Sequence, residues 1–173
     1  MATFQTFQKI FTSSFEFYGL PEWLLEVMPD NVNLQHSSAR QSPHGWTFRR
    51  HNARSKFVCL NCSEAAGRSL KAKTNMYSWS SAFTTILFRA RLDQSISGQK
   101  VGRIQMKIFE QGCHTCNTYS AGILDDREIK KTFYRLYIWI LHTFYDAKLI
   151  DKDEDEVQDS TSSYHRGRIS HDS

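Results

Sequence analysis

The sequence predicts an α+β fold: a small antiparallel sheet with an N-terminal helix before it and a C-terminal helix covering it. Three patterns carry this expectation. Phe4, Phe7, Phe11 and Phe15 recur at steps of three and four, the spacing of one helix face. Lys100 to Phe109 alternates, with Ile104, Met106 and Ile108 on one side and Arg103, Gln105 and Lys107 on the other. Ile129, Phe133, Leu136, Ile140 and Phe144 then return to helical spacing.

Taken in order, residues 1–18 form the first helix, stopped by Gly19-Leu20-Pro21. Its only cation is Lys9, so packing on a core suits it better than lying on a membrane surface. Glu22 to Met28, with Trp23, Leu24 and Val27, reads as a short helical turn ended before Pro29. Asn31 to Gly45 is rich in Ser, Asn and His and reads as a loop. Trp46 to Val58 reads as extended chain, and Ser63 to Ser78, with neither period, as a second loop. Phe83 to Leu92 is rich in β-branched and aromatic residues, which suits a strand. A turn over Asp93–Gln99 then folds it against Lys100–Phe109 as an antiparallel hairpin.

The final helix opens at Asp125. Glu128 follows three residues later in a capping-box arrangement, with acids where the helix dipole favours them. Tyr137, Trp139 and Leu141 widen its apolar stripe, which serves a helix docked between elements or a groove for a partner. Beyond Ile150 the chain reads Asp-Lys-Asp-Glu-Asp-Glu and then Ser and Thr, a composition that predicts disorder. The organisation is therefore a helical segment and loop over 1–45, a main domain over 46–148, and an acidic tail over 149–173.

A length of 173 residues fits one domain with tails. The 40% hydrophobic content permits a core of its own, and no apolar run approaches the length that spans a bilayer. The first residues lack a basic n-region and a continuous apolar stretch, so export is not expected and a cytoplasmic location is. Between Arg40 and Lys107 thirteen Lys/Arg face two acids, whereas Asp146–Asp159 holds seven acids and two lysines. That asymmetry suits an anionic partner for the basic middle, and equally a solvated surface on which the acidic tail folds back.

All four cysteines stand in two doublets, Cys59-Leu60-Asn61-Cys62 and Cys113-His114-Thr115-Cys116. Two residues between thiolates let one tight turn aim both sulfurs at one metal, and two such turns complete a tetrahedral Cys₄ zinc site. Zn²⁺ is thus the expected cofactor and the sheet should be zinc-stabilised, with Cys59, Cys62, Cys113 and Cys116 as ligands. Disulfides would need an oxidising compartment, and a thioredoxin-like motif would need a βαβ context. In the expected order of elements, one strand delivers the first doublet and the hairpin returns the chain to deliver the second. His114 inside the second doublet reads as solvent-facing, because four thiolates fill the shell.

The residues around these doublets resemble a known family. Arg54 to Cys62, Trp79-Ser80-Ser81-Ala82, Gly98-Gln99-Lys100-Val101 and Phe109 to Cys116 are similar to the three-CxxC zinc-binding domain of receptor-transporting and zygote arrest proteins. Pro21-Glu22-Trp23 and His44-Gly45-Trp46 resemble the receptor-transporting branch in particular. The resemblance spans about residues 4–148. It implies a non-enzymatic zinc module that binds seven-helix membrane receptors and helps them reach the plasma membrane, acting at the cytosolic face. The zygote arrest branch binds RNA and affects translation, and a receptor-transporting member is also linked to RNA binding. The alternative expectation is therefore an RNA-binding zinc module in translational control or antiviral defence, with single-stranded RNA as its partner. This chain carries two of the three CxxC pairs. His165 and His171 could substitute for the third, though histidines in a polar tail read as surface groups. Sixteen residues also separate the first doublet from Trp79.

Catalytic motifs are absent: no phosphate-binding glycine loop, no H-E-x-x-H, no nucleophile elbow and no deaminase string. The expectation is that the chain is not an enzyme, takes no small-molecule substrate, and is peripheral to membranes if it touches them. For RNA, Arg49, Arg50, Arg54, Lys56, Arg68, Lys71 and Lys73 are the candidate contacts, interleaved with Trp46, Phe48, Phe57 and Tyr77 for stacking.

Overall fold

A computed structural model describes residues 3–34, 43–67 and 77–146. Phe4–Phe17 forms α1, and Phe7, Phe11 and Phe15 are buried along one side. Trp23–Val27 forms β1, Thr47–Val58 β2, Leu60–Gly67 α2, Ser78–Gln94 β3 and Lys100–Ile108 β4. A second, two-stranded ladder joins Gln111–Gly112 (β5) to Tyr119–Ser120 (β6), and Asp126–Phe144 forms α3. The main sheet has the order β1-β4-β3-β2. The α+β class holds, with an N-terminal helix, an antiparallel-rich sheet and a C-terminal helix.

The predicted hairpin is present as β3 and β4, paired antiparallel from Ile86↔Ile108 to Gln94↔Lys100. Ile86, Phe88, Ala90, Ile104 and Met106 bury one face of it beneath α1 and α3. Phe133 of α3 meets Phe11 and Phe7 edge-on, with ring centroids 5.3 and 6.4 Å apart. Burial of each such ring contributes about 2–3 kcal/mol, so the phenylalanine stripe is core. The wide stripe of α3 is used the same way, since Leu136 and Ile140 are buried and Tyr137 packs on Phe15 and Tyr18.

Asp125 caps α3 as its sequence foretells, its side chain accepting the N–H of Glu128 at 2.8 Å. Only half of the capping box forms. The Glu128 carboxylate instead accepts the backbone N–H of Arg54 at 3.0 Å, tying the helix start to β2.

Two local expectations are corrected. The segment around Trp23 is not a helical turn but a strand, and it makes the sheet mixed because β1 runs parallel to β4. Trp23 and Leu25 face the core, and Trp23 lies over Gly102, where the missing side chain leaves room for the indole. A seven-residue run with Trp, Leu and Val fits either period, and pairing decided it. Second, the stretch after Cys62 is not all loop, because α2 runs to Gly67. Residues 68–76, the polar segment 35–42 and the chain beyond 146 lie outside the described residues, and with them the expected acidic tail over 149–173, His165 and His171.

The face of the sheet turned away from the helices carries a basic set around the buried side chains of Leu87, Gln105 and Trp46. Its cross-strand rows place Arg91 opposite Arg103, Arg89 between Phe48 and Gln105, and Leu87 between Arg50 and Lys107. Trp46 lies among the guanidinium groups of Arg89, Arg91 and Arg103, at 4.2, 4.8 and 5.9 Å from its ring.

Candidate metal centre

The end of β2 delivers Cys59, and the β5–β6 ladder frames Cys113 to Thr118. All four Sγ atoms lie within 4.8 Å of one another. Cys59 and Cys116 are 3.5 Å apart, and Cys62 and Cys113 are 3.9 Å apart, across the two doublets. A tetrahedral zinc with bonds of about 2.3 Å requires sulfurs about 3.8 Å apart. A disulfide would need about 2.05 Å, and all four cysteines are free thiols. The donor set and its spacing fit zinc.

Each doublet is shaped by its own backbone. Cys59 stands one residue ahead of α2, and its sulfur accepts the N–H of Cys62 at 3.5 Å, the position of a helix N-cap. The helix start thus supports negative charge on that sulfur. The second turn closes through Asn117 N–H to Cys113 O at 2.8 Å and Cys113 N–H to Thr118 O at 2.9 Å. Asn117 adopts a left-handed φ of 59°, which asparagine tolerates better than most residues. Thr115 N–H points at the Cys113 sulfur, 3.4 Å away.

Crowding and hydrogen bonding split the thiols. Cys116 falls to about 6, chiefly because the Thr118 hydroxyl, 3.2 Å away, can donate to its thiolate. Backbone N–H groups of Cys116 and Thr115 lower Cys113 as well. Cys62 is pushed up to about 12, first by its hydrogen bond with Cys116 and then by burial. A metal taking all four sulfurs therefore displaces protons.

Around the sulfurs, Tyr77 and Trp79 supply an aromatic wall. Trp79 stacks on Phe57 and its indole N–H donates to Gln111 Oε1 at 3.3 Å, while Gln111 Nε2 donates to Ser81 at 3.1 Å. Spacing alone gave no reason to connect Trp79 with Gln111, or to select Asn117 and Thr118. An asparagine directly after C-x-x-C, a residue type that tolerates the left-handed region, was the available signal for the turn. His114 is exposed and stands outside the sulfur cluster, as expected.

The basic set is dispersed. Arg49 and Arg50 alternate along β2 and so lie on opposite faces, Arg49 in line with Phe88 and Arg50 with Leu87. Arg54 and Lys56 are exposed and line a cleft of 550 Å³ with Ser80, Ser81 and Asp125, close to the first doublet. Arg68, Lys71 and Lys73 lie outside the described residues. Of the aromatics named with them, Phe57 and Trp46 are buried and poorly placed to stack on bases.

No helix of the described residues is long and apolar enough to cross a membrane. No curated protein and no solved structure matches the chain at a significant level. A zinc-binding domain family, the three-CxxC zinc ribbon, matches residues 52–171. That span takes in both doublets, the second half of β2, β3 to β6 and α3. The chain belongs to the three-CxxC zinc-binding domain family.

Proposed function

We propose that this chain is a non-enzymatic zinc-binding adaptor that promotes delivery of seven-helix receptors to the plasma membrane. The observation that carries the zinc reading is the closure of four sulfurs from two distant turns into one cluster. With Cys59, Cys62, Cys113 and Cys116 all bound, no position remains for a substrate or an activated water, so the metal would be structural. It would pin β2 to the β5–β6 ladder and hold the sheet surfaces in register. The receptor reading draws its support from the likeness of Pro21-Glu22-Trp23 and His44-Gly45-Trp46 to the receptor-transporting branch. Those segments are integral to the fold: Trp23 is packed on β4, and Trp46 on the open sheet face. The test is co-expression with a chemosensory receptor and staining of intact cells. Receptor at the surface should rise with the parent chain and not with Cys59→Ser; an equal surface level with and without the parent removes the reading.

The second reading, a single-stranded RNA module, is favoured by Arg54 and Lys56 beside the first doublet, with Phe83 exposed on the neighbouring strand. Binding to a mixed RNA pool should weaken steeply with salt, because phosphate contacts release counterions. Salt-independent binding would contradict it.

A further inference from the structure

The face of the main sheet turned away from the helices gathers Arg89, Arg91, Arg103 and Lys107, all partly exposed, against the carboxylates of Glu26 and Asp93. Arg91 and Arg103 stand directly opposite each other on neighbouring strands, a like-charge pairing that opposes sheet formation. Arg89 lies beside both, and burial together with those two charges lowers its affinity for its proton. Glu26 grips Arg103 with both oxygens, at 3.1 and 2.8 Å, and Asp93 holds Arg91 at 2.7 Å. Among these residues, four cations thus stand against two carboxylates. The sequence outside the described residues adds cations and no acid at 35–42 and 68–76, and places its dense acidic run at 151–159.

The end of α3 sets where that run can reach. Tyr145 is fixed at the start of β1, accepting the indole N–H of Trp23 at 3.0 Å and donating to Glu22 at 2.8 Å. Trp23 is in register with Gly102 and Leu24 with Arg103, so the chain leaves the helix on the core side of the β1 edge, with Arg103 on the opposite face of the sheet. β1 is the edge strand, about 5 Å from β4. From Asp146, an extended chain reaches about 17 Å by Asp151 and about 33 Å by Glu156, enough to round that edge.

We propose that the chain's own acidic segment, residues 151–159, docks on this basic sheet face. Asp151, Asp153, Glu154, Asp155 and Glu156 supply the countercharge that Glu26 and Asp93 do not complete. The segment then acts as an internal polyanion, so an outside polyanion must displace it to use the face.

Zero-length carbodiimide coupling of the zinc-loaded full chain, read by peptide mass spectrometry, tests the contact. Lys107 should join a carboxylate within 151–159, and the product should largely vanish at about 0.5 M salt, where the screening length is about 4 Å. Coupling of that segment to Lys9 or Lys131, with none to Lys107, would overturn the proposal. A second variant carries Asp151→Asn, Asp153→Asn, Glu154→Gln, Asp155→Asn and Glu156→Gln. It should bind a short heparin fragment about tenfold more tightly than the parent, as removal of an internal competitor requires. Equal affinities would mean that the face is open and the tail is not its occupant.

Discussion

The indole of Trp79 lies flat on the ring of Phe57, with centroids 5.2 Å apart and planes 7° from parallel. Phe57 is two residues before Cys59 on β2, and Trp79 sits opposite it on β3. This pair is a cross-strand stack that also walls the sulfur cluster, and the Trp79 N–H reaches Gln111 just ahead of Cys113. One aromatic pair therefore couples both cysteine-bearing turns to the sheet. Trp79→Ala should cost about 3 kcal/mol, the usual loss for a large aromatic truncation. It should also speed zinc loss to a chelator. Urea unfolding and chelator kinetics read the two effects, and unchanged chelation with lowered stability would separate the wall from the metal site.

Elemental analysis of purified protein should give one zinc per chain. Cys59→Ser and Cys113→Ser should each abolish it, because the sulfurs of both turns share one cluster. In small zinc domains the metal contributes about 10–16 kcal/mol of apparent binding free energy, so both variants should lose cooperative unfolding around the knuckles. Two zincs in the parent would require ligands beyond these four.

Gly102→Ala probes the union of β1 with β4. A Cβ there would stand 2.0 Å from Trp23 Cδ2, so the indole must leave its place. The expected cost is about 3 kcal/mol, the upper part of the overpacking range, because displacing Trp23 also breaks its bond to Tyr145. Equilibrium unfolding measures it. A loss below half that figure would show that β1 is held by other means.

His51 carries an acid-side dependence. It is 8% exposed, and its Nε2 has no hydrogen-bond partner among the described residues. Burial first, then the charges of Arg135 and Arg49, pull its pKa down to about 4, with Glu128 opposing weakly. The unfolded chain, titrating near 6.5, binds the proton more readily. The contribution of His51 is therefore complete above about pH 6.5 and is lost as pH falls toward 4, by about 2 kcal/mol after allowance for solvent screening. His51→Gln should flatten that part of the stability profile relative to the parent. Parallel profiles for the two proteins would refute the assignment.

How far the sequence reaches depends on how local the deciding physics is. The Phe stripe of α1, the alternation of β4 and the Asp125 cap were legible because each is set by spacing within a few residues. The nature of Glu22–Met28 was not, since parallel pairing to β4 lies about 80 residues away in the chain and leaves no local mark. Glu128 shows the same limit: its spacing from Asp125 suggested reciprocal capping, yet the nearby N–H of Arg54 captured its carboxylate.

By itself the sequence determined the α+β class and the two core helices, and it singled out the four cysteines that cluster, because periodicity and paired C-x-x-C spacing carry those directly. Only the tertiary structure decided that the sulfurs of the two turns meet, that Trp79 and Gln111 brace them, and that the basic residues divide between two sheet faces. Each of those outcomes depends on strand register. A shift of one residue sends every side chain of a strand to the other face, and no short stretch of sequence encodes it.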